Sequence, residues 1–326
     1  MPRTNLLLFV GKQGNAEPVK TAADWSNRRK MILKAMQEVM GQLPDKAKRC
    51  ALDPVVVEET DCGTFVRRLV RYHSEPGGLV PAYLLVPKEV LAGKGKAPAV
   101  LGLHQTHPLG QKVVVGLGAS PDDEYGVELV KKGFVVLAPP YPLLADYNPD
   151  LTALGYRSGT MKAIWDNMRG LDYLESLPFV KTNGFGVIGH SLGGHNGIYT
   201  AVFDERIRVI ISSCGFDSFR DYKGGQIKGW THPRYMPRLL DYRLDELPFD
   251  FHELIGALAP RRCFISAPLG DSNFKWRSVD AVVQSARPIY RLLGTPNALQ
   301  VVHPDCAHGF PASIRAEAYG ALEEQR

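Results

Sequence analysis

The spacing of apolar residues changes along this 326-residue chain, and the changes mark its elements. Ile32, Ala35, Met36, Val39 and Met40 recur at helical spacing, Thr21 with Asp24 fits a capping box, and Gly41 with Pro44 supplies a stop. That pattern predicts a helix over residues 21–40, packed as an accessory on the main domain. Residues 1–20 read as extended. Three apolar runs follow at 55–60, 65–72 and 80–86, broken by Asp61-Cys62-Gly63 and Pro76-Gly77-Gly78, and read as antiparallel strands. Beyond them strands and helices alternate. Strands are expected at 99–103, 134–138, 185–188, 209–213, 263–267 and 299–302, with helices at 123–132, 159–177, 195–203 and 279–293. Such alternation predicts an α/β fold, a mostly parallel sheet covered by helices on both faces. Residues 217–247 interrupt it, rich in aromatic and charged side chains and without a period; inserted after the strand ending near Cys214, they read as a cap. No repeat or low-complexity linker divides the rest, so residues 51–326 are expected to form one domain and residues 1–50 an N-terminal extension.

The most informative junction is strand 185–188 followed by Gly189-His190-Ser191-Leu192-Gly193-Gly194 and then a helical run. A G-x-S-x-G turn between a strand and a helix is the setting of a nucleophile elbow, where a strained serine lifts its hydroxyl out of the sheet. Glycines are needed on either side because a Cβ there would strike the neighbouring backbone, and Gly194 lets the helix pack close. Ser191 is the expected nucleophile.

A serine hydroxyl is a weak nucleophile at neutral pH and needs a base. In a parallel sheet of this kind the partners follow in the order Ser, acid, His. His308, in the loop after the last strand, is the expected base. Asp271, after the preceding strand, is the expected acid, and Asp217, one strand earlier, is a competitor able to reach the same histidine. The oxyanion hole would take backbone N–H groups from Leu192 and from the Leu103-His104-Gln105-Thr106 loop, with Gln105 or Thr106 as the donor. His104, Thr106, Trp230 and Tyr235 are candidate substrate contacts. His104 and His107 lie close in sequence, but no carboxylate or cysteine completes a metal site, so no metal is assigned.

Composition narrows the class. Apolar residues at 44% and charged ones at 22% describe a globular protein with a sizeable core. A net charge of +5 without a basic stripe gives no support to nucleic-acid binding. No apolar run approaches a membrane span, and the five residues 6–10 are too few for a signal-peptide core. The expectation is a cytoplasmic protein, or a chain from which an export signal has been removed. Five scattered cysteines lack metal-ligand spacing and read as reduced thiols, with a Cys50–Cys62 bridge left open.

With these residues in place, the chain resembles the α/β-hydrolase superfamily, and within it the dienelactone-hydrolase-like and acetyl-xylan-esterase-like serine esterases. The resemblance runs over residues 21–320 and is carried by Gly102-Leu-His-Gln-Thr106, Leu137-Ala-Pro-Pro-Tyr141, Gly189-His-Ser-Leu-Gly-Gly194, Asp204-Glu-Arg206, Ala259-Pro-Arg-Arg262 and Ala307-His-Gly-Phe310. It implies Ser191, Asp271 and His308 as catalytic residues, Leu192 and Gln105 as oxyanion donors, and no cofactor. Dienelactone hydrolases proper use cysteine as nucleophile, so Ser191 argues against that activity. Pro140 stands where such relatives commonly have aspartate. The expected activity is hydrolysis of small or carbohydrate-linked carboxylic esters through an acyl-enzyme. The alternatives are a serine peptidase of the same fold and a non-catalytic binder of a small ligand. Oligomeric state is not readable.

Overall fold

Thr21 begins the first helix as the capping box predicts: its hydroxyl accepts from the Asp24 N–H while the Asp24 carboxylate accepts from the Thr21 N–H. A computed structural model describes residues 4–11 and 13–324. Ahead of that helix, β1 (Leu8–Val10) and β2 (Ala16–Pro18) pair into a small antiparallel hairpin where plain extended chain was expected. Helix α1 (Ala22–Met40) buries Trp25, Ile32, Met36, Val39 and Met40 in the larger hydrophobic core. Arg29 ties it down by donating to the carbonyls of Val202 and Ala257 at 2.6 and 3.1 Å.

The expected strands all form. They are β3 (Val55–Asp61), β4 (Phe65–Glu75), β5 (Gly78–Pro87), β6 (Ala97–Leu103), β7 (Val135–Ala138), β8 (Val180–His190), β9 (Ile207–Ser213), β10 (Arg262–Ser266) and β11 (Leu299–Val302). The order across this nine-stranded sheet is β11-β10-β9-β8-β6-β7-β5-β4-β3. From β6 onward neighbouring strands are parallel, and β5, β4 and β3 continue the sheet antiparallel. The helices are α2 (Lys88–Leu91), α3 (Tyr125–Lys131), α4 (Gly159–Ser176), α5 (Leu192–Phe203), α6 (Phe251–Leu258), α7 (Trp276–Leu292) and α8 (Ala312–Glu323). Helices α1, α4, α5, α6 and α7 pack on one face of the sheet, and α3 and α8 on the other.

Three differences from the sequence pattern have physical reasons. The helix expected from residue 123 starts at Tyr125, because Pro121–Asp123 forms its own 3-10 turn. Helix α6 was not expected: at eight residues it is too short a run to establish a helical period. Helix α8, rich in alanine, likewise has too weak an apolar stripe to stand out. The segment 217–247 contains only short 3-10 turns, at Tyr222–Gly224, Ile227–Trp230 and Pro237–Asp241, consistent with its lack of period. All five cysteines are free thiols, so Cys50 and Cys62 do not pair. Among the described residues no helix is long and apolar enough to cross a membrane.

The topology places the site. The chain passes from β6 to β7 on one side, then returns through α4 to β8 on the other side of β6. Strand order therefore reverses between β6 and β8, and the crevice outside the carboxyl ends of strands at such a switch is where open α/β sheets bind ligands. Residues 104–106 leave β6, and Ser191 leaves β8, at that place.

Candidate active site

Ser191 sits between β8 and α5 with φ 54° and ψ −117°, a backbone conformation that costs a non-glycine residue of order 1–3 kcal/mol. The surroundings hold it there. Its N–H donates to the Ser213 carbonyl at the end of β9, at 2.7 Å. A Cβ on Gly189 would lie 2.3 Å from the Gly193 backbone, and one on Gly193 would lie 2.0 Å from the Leu103 carbonyl oxygen. The same close approach brings the loop leaving β6 against the elbow.

The structure brings together the three residues expected to form a triad. His308 Nε2 is 2.9 Å from Ser191 Oγ, and His308 Nδ1 is 2.9 and 3.0 Å from the two Asp271 carboxylate oxygens. A carboxylate accepts only, so Nδ1 carries the proton and Nε2 is left to take the serine's. Burial acts to raise Asp271, but the hydrogen bond and charge of His308 and the N–H groups of Asn273 and Phe274 outweigh it and hold the carboxyl below its usual value. Asp217 is placed elsewhere: it is buried, accepts from the Lys275 N–H at 3.1 Å, and burial pushes it up to about 7. The histidine's acid partner is thus Asp271, one strand further along than Asp217.

Leu192 is the first residue of α5, where a helix N–H has no intrahelical acceptor and is available to an oxyanion. Gln105 follows directly on the Leu103–His104 backbone that packs on Gly193. His104, expected as a substrate contact, has a different task. It is buried, its Nδ1 lies 2.8 Å from the Gln105 carbonyl, and its Nε2 accepts from the Tyr141 N–H at 3.0 Å. Both ring nitrogens are spent bracing the loop, and burial holds the ring neutral with a pKa of about 4. That is a correction to the sequence reading: His104 shapes the Gln105 loop and is not among the residues lining the cavity.

The other three candidate contacts do face the nucleophile. Thr106, Trp230 and Tyr235 line, with Ser191 and Leu192, a small cavity of about 80 Å³. Thr106 Oγ1 and the Tyr235 hydroxyl are 3.3 Å apart, joining the β6 loop to the 217–247 segment across the opening. Sequence reasoning missed other residues here. His195, one helical turn after Ser191, and Tyr222 and Phe274 also line the cavity. Cys214 lies under the acid–base pair, with Sγ, an Asp271 oxygen and a His308 nitrogen all within 4.8 Å of one another. Burial first, then the charge of Asp271, push its thiol well above the usual range, so it stays neutral. The G-H-S-x-G-G-H spacing was a signal for His195, since i+4 places it on the nucleophile's side of the helix; nothing in the sequence marked Cys214. Beneath His308, the His190 ring packs at 5.0 Å, kept neutral at about 3 by burial and by His308.

Comparison with known proteins agrees with this architecture. Residues 153–294 match the family model described as glucuronyl esterase, fungi. The protein YtaP of Bacillus subtilis (strain 168), named only as a candidate hydrolase, is 24% identical over 311 residues, covering 92% of this chain and 99% of its own length. Among solved structures, a glucuronoyl esterase from Solibacter usitatus superposes with a TM-score of 0.75 at 19% identity, over 99% of this chain and 97% of that one. A candidate acetyl xylan esterase from Bacteroides fragilis NCTC 9343 gives a TM-score of 0.64 at 18% identity, over 92% and 85%. The fold is that of the α/β-hydrolases, as the resemblance implied.

Proposed function

We propose that the protein is a serine carboxylic-ester hydrolase acting on small or carbohydrate-linked esters. The observation that carries this is the continuous line Asp271–His308–Ser191, with each link at 2.9–3.0 Å, opening into a cavity at the strand-order reversal. His308 removes the Ser191 proton as Oγ attacks the ester carbonyl, and Asp271 stabilises the imidazolium that results. The N–H groups of Leu192 and Gln105 receive the negative oxygen. His308 then protonates the departing alcohol, and water repeats the sequence on the acyl-enzyme to release the acid. The likeness to carbohydrate esterases supports the sugar-linked part of the reading, and the small cavity supports a compact group next to the ester.

The test is hydrolysis of an aryl acetate, an acetylated sugar, a uronic acid methyl ester and an aryl amide by wild type and Ser191→Ala. The expected result is cleavage of esters well above the amide, falling by about 10⁴-fold or more in the variant. Ester cleavage that survives Ser191→Ala removes the mechanism, and an amide cleaved as fast as the esters makes the protein a peptidase instead.

A further inference from the structure

The ester mechanism needs two N–H groups from different strand ends, and one buried side chain ties those ends together. Leu192 follows β8, and the Gln105 loop follows β6. Tyr125, the first residue of α3, reaches the seam between the two strands from the face of the sheet opposite α5. It is fully buried, and its hydroxyl donates to the carbonyl of Leu103, the last residue of β6. The N–H of His190, the last residue of β8, acts on the same phenol oxygen. Burial pushes the phenol far above its usual range, so it keeps its proton and can donate and accept at once. The Leu103 carbonyl is also the group that crowds the elbow, since a Cβ on Gly193 would lie 2.0 Å from its oxygen. The Tyr125 ring packs on Phe310 at 6.3 Å, two residues beyond His308, and so touches the loop that carries the base. Two residues before Tyr125, the Asp123 carboxylate takes the side-chain amide of Gln105 as a hydrogen-bond partner. Gln105 Oε1 has no partner among the described residues, which leaves its NH2 group as the end that is held. A buried phenol could satisfy itself elsewhere: Tyr319, on the same face, places its hydroxyl on the Glu128 carboxylate of α3 instead.

We propose that Tyr125 is the positioning residue of the oxyanion hole: its hydroxyl fixes the spacing between the Gln105 loop and the elbow, with Asp123 as a second, weaker tie on the Gln105 side chain. Backbone donors stabilise a developing oxyanion only when they are aimed in advance at the place it will occupy. Here the two donors sit on different strand ends, so their separation is set by whatever joins those ends. The paired register of β6 and β8 runs out at Leu103 and Gly189, just short of both loops. The phenol oxygen adds a tie at the next position, between the Leu103 carbonyl and the His190 N–H, on the rim of the crevice. The oxyanion exists only on the way through the tetrahedral intermediate. Misplacing its donors therefore lowers kcat and kcat/KM together and leaves substrate binding alone. The role rests on the esterase reading above and extends its machinery to the far face of the sheet.

The experiment compares wild type with Tyr125→Phe, which removes the hydroxyl and keeps the ring on Phe310, and with Asp123→Ala. Tyr319→Phe is the control for loss of a buried hydroxyl on the same face. Two quantities are measured in protein shown to be folded by near-UV circular dichroism: aryl acetate kinetics, and inhibition by an aryl trifluoromethyl ketone. Ser191 adds to that ketone, its proton passes to His308, and the carbonyl oxygen becomes the anion that the hole must hold. In Tyr125→Phe, kcat and kcat/KM are expected to fall by about 10- to 100-fold, with KM within about 3-fold of wild type. The inhibition constant of the ketone is expected to rise by the same factor. Asp123→Ala should show the same pattern at about 3- to 10-fold, and Tyr319→Phe should stay within about 2-fold throughout. A merely structural loss would lower the active fraction and hence kcat, without weakening the ketone. Wild-type values of kcat and inhibition constant in Tyr125→Phe overturn the proposal. So does a lower kcat with ketone binding unchanged, or an equal effect in Tyr319→Phe. If Tyr125→Phe does not fold, Asp123→Ala decides: parallel losses of kcat and ketone affinity support the clamp, and wild-type values overturn it. In all these cases wild type still cleaves the ester, and the esterase reading stands. If wild type cleaves no ester, both fall.

Discussion

Two adjacent strand ends each lead into a short loop with an aspartate and make opposite use of it. After β9 the chain reads Cys214-Gly215-Phe216-Asp217, and after β10 it reads Ala267-Pro268-Leu269-Gly270-Asp271. Each aspartate is largely withdrawn from water, so each pays a desolvation cost for its charge. Asp271 meets that cost with two loop N–H donors, at 2.7 and 3.2 Å, and with His308. It is held ionised. Asp217 has a single N–H from Lys275 on one oxygen, while its other oxygen has no partner among the described residues. It is pushed toward the neutral form, up to about 7. Position on the rim does not make a catalytic acid; the number and sign of the donors around the carboxylate does.

The sharpest way to break the comparison is Asp271→Asn. The amide keeps the shape but loses the charge that favours the Nδ1–H tautomer and steadies the imidazolium. We expect kcat on aryl acetate to fall by about 10³- to 10⁴-fold with little change in KM, while Asp217→Asn stays within about 3-fold of wild type. A larger loss in Asp217→Asn than in Asp271→Asn would reverse the assignment.

Much of the site was legible before the fold was known, because it depends on local backbone chemistry. Gly189, Ser191 and Gly193 announce the elbow, since only that spacing relieves contacts as short as 2.0–2.3 Å. Chain order alone then points to Asp271 and His308. What sets Asp271 apart from its competitor Asp217 was not legible, because it turns on which loop amides reach each carboxylate. His104 misled for a similar reason: a histidine in the oxyanion loop suggests ligand contact, yet its two nitrogens are consumed by Gln105 and Tyr141, 37 residues further on. The buried charges of α4 were equally hidden. Lys162 lies fully buried, 3.0 Å from Glu75 and 2.5 Å from Asp166, and only tertiary packing shows that a lysine in mid-helix has these partners. The fold itself was read from the alternation of strand and helix, and the elements that escaped it were short or weakly patterned: the β1–β2 hairpin, the four-residue α2, the eight-residue α6 and the alanine-rich α8.

The smaller effect sharpens the contrast through stability. In the folded protein burial pushes Asp217 up to about 7, against an ordinary value of 3.8 for the free side chain. Between those two values the folded protein binds more protons than the unfolded chain, so stability falls as pH rises from about 4 to 7 and stays reduced above. Asp271 has the opposite sign. Its pKa is depressed, so its contribution is present above the unfolded carboxylate pKa and is lost as pH falls through the lower folded value. Asp217→Asn removes the titration while its carbonyl can still accept from the Lys275 N–H. The expected gain is close to nothing at pH 4 and about 1–4 kcal/mol at pH 8, reduced somewhat by the amide hydrogens left at the unpartnered oxygen's place. Thermal unfolding of wild type and variant across pH 4–8 measures it. Curves that separate with rising pH support a carboxylate forced toward neutrality, whereas parallel curves would show that Asp217 titrates as an ordinary surface acid and that the two strand ends differ less than their donors indicate.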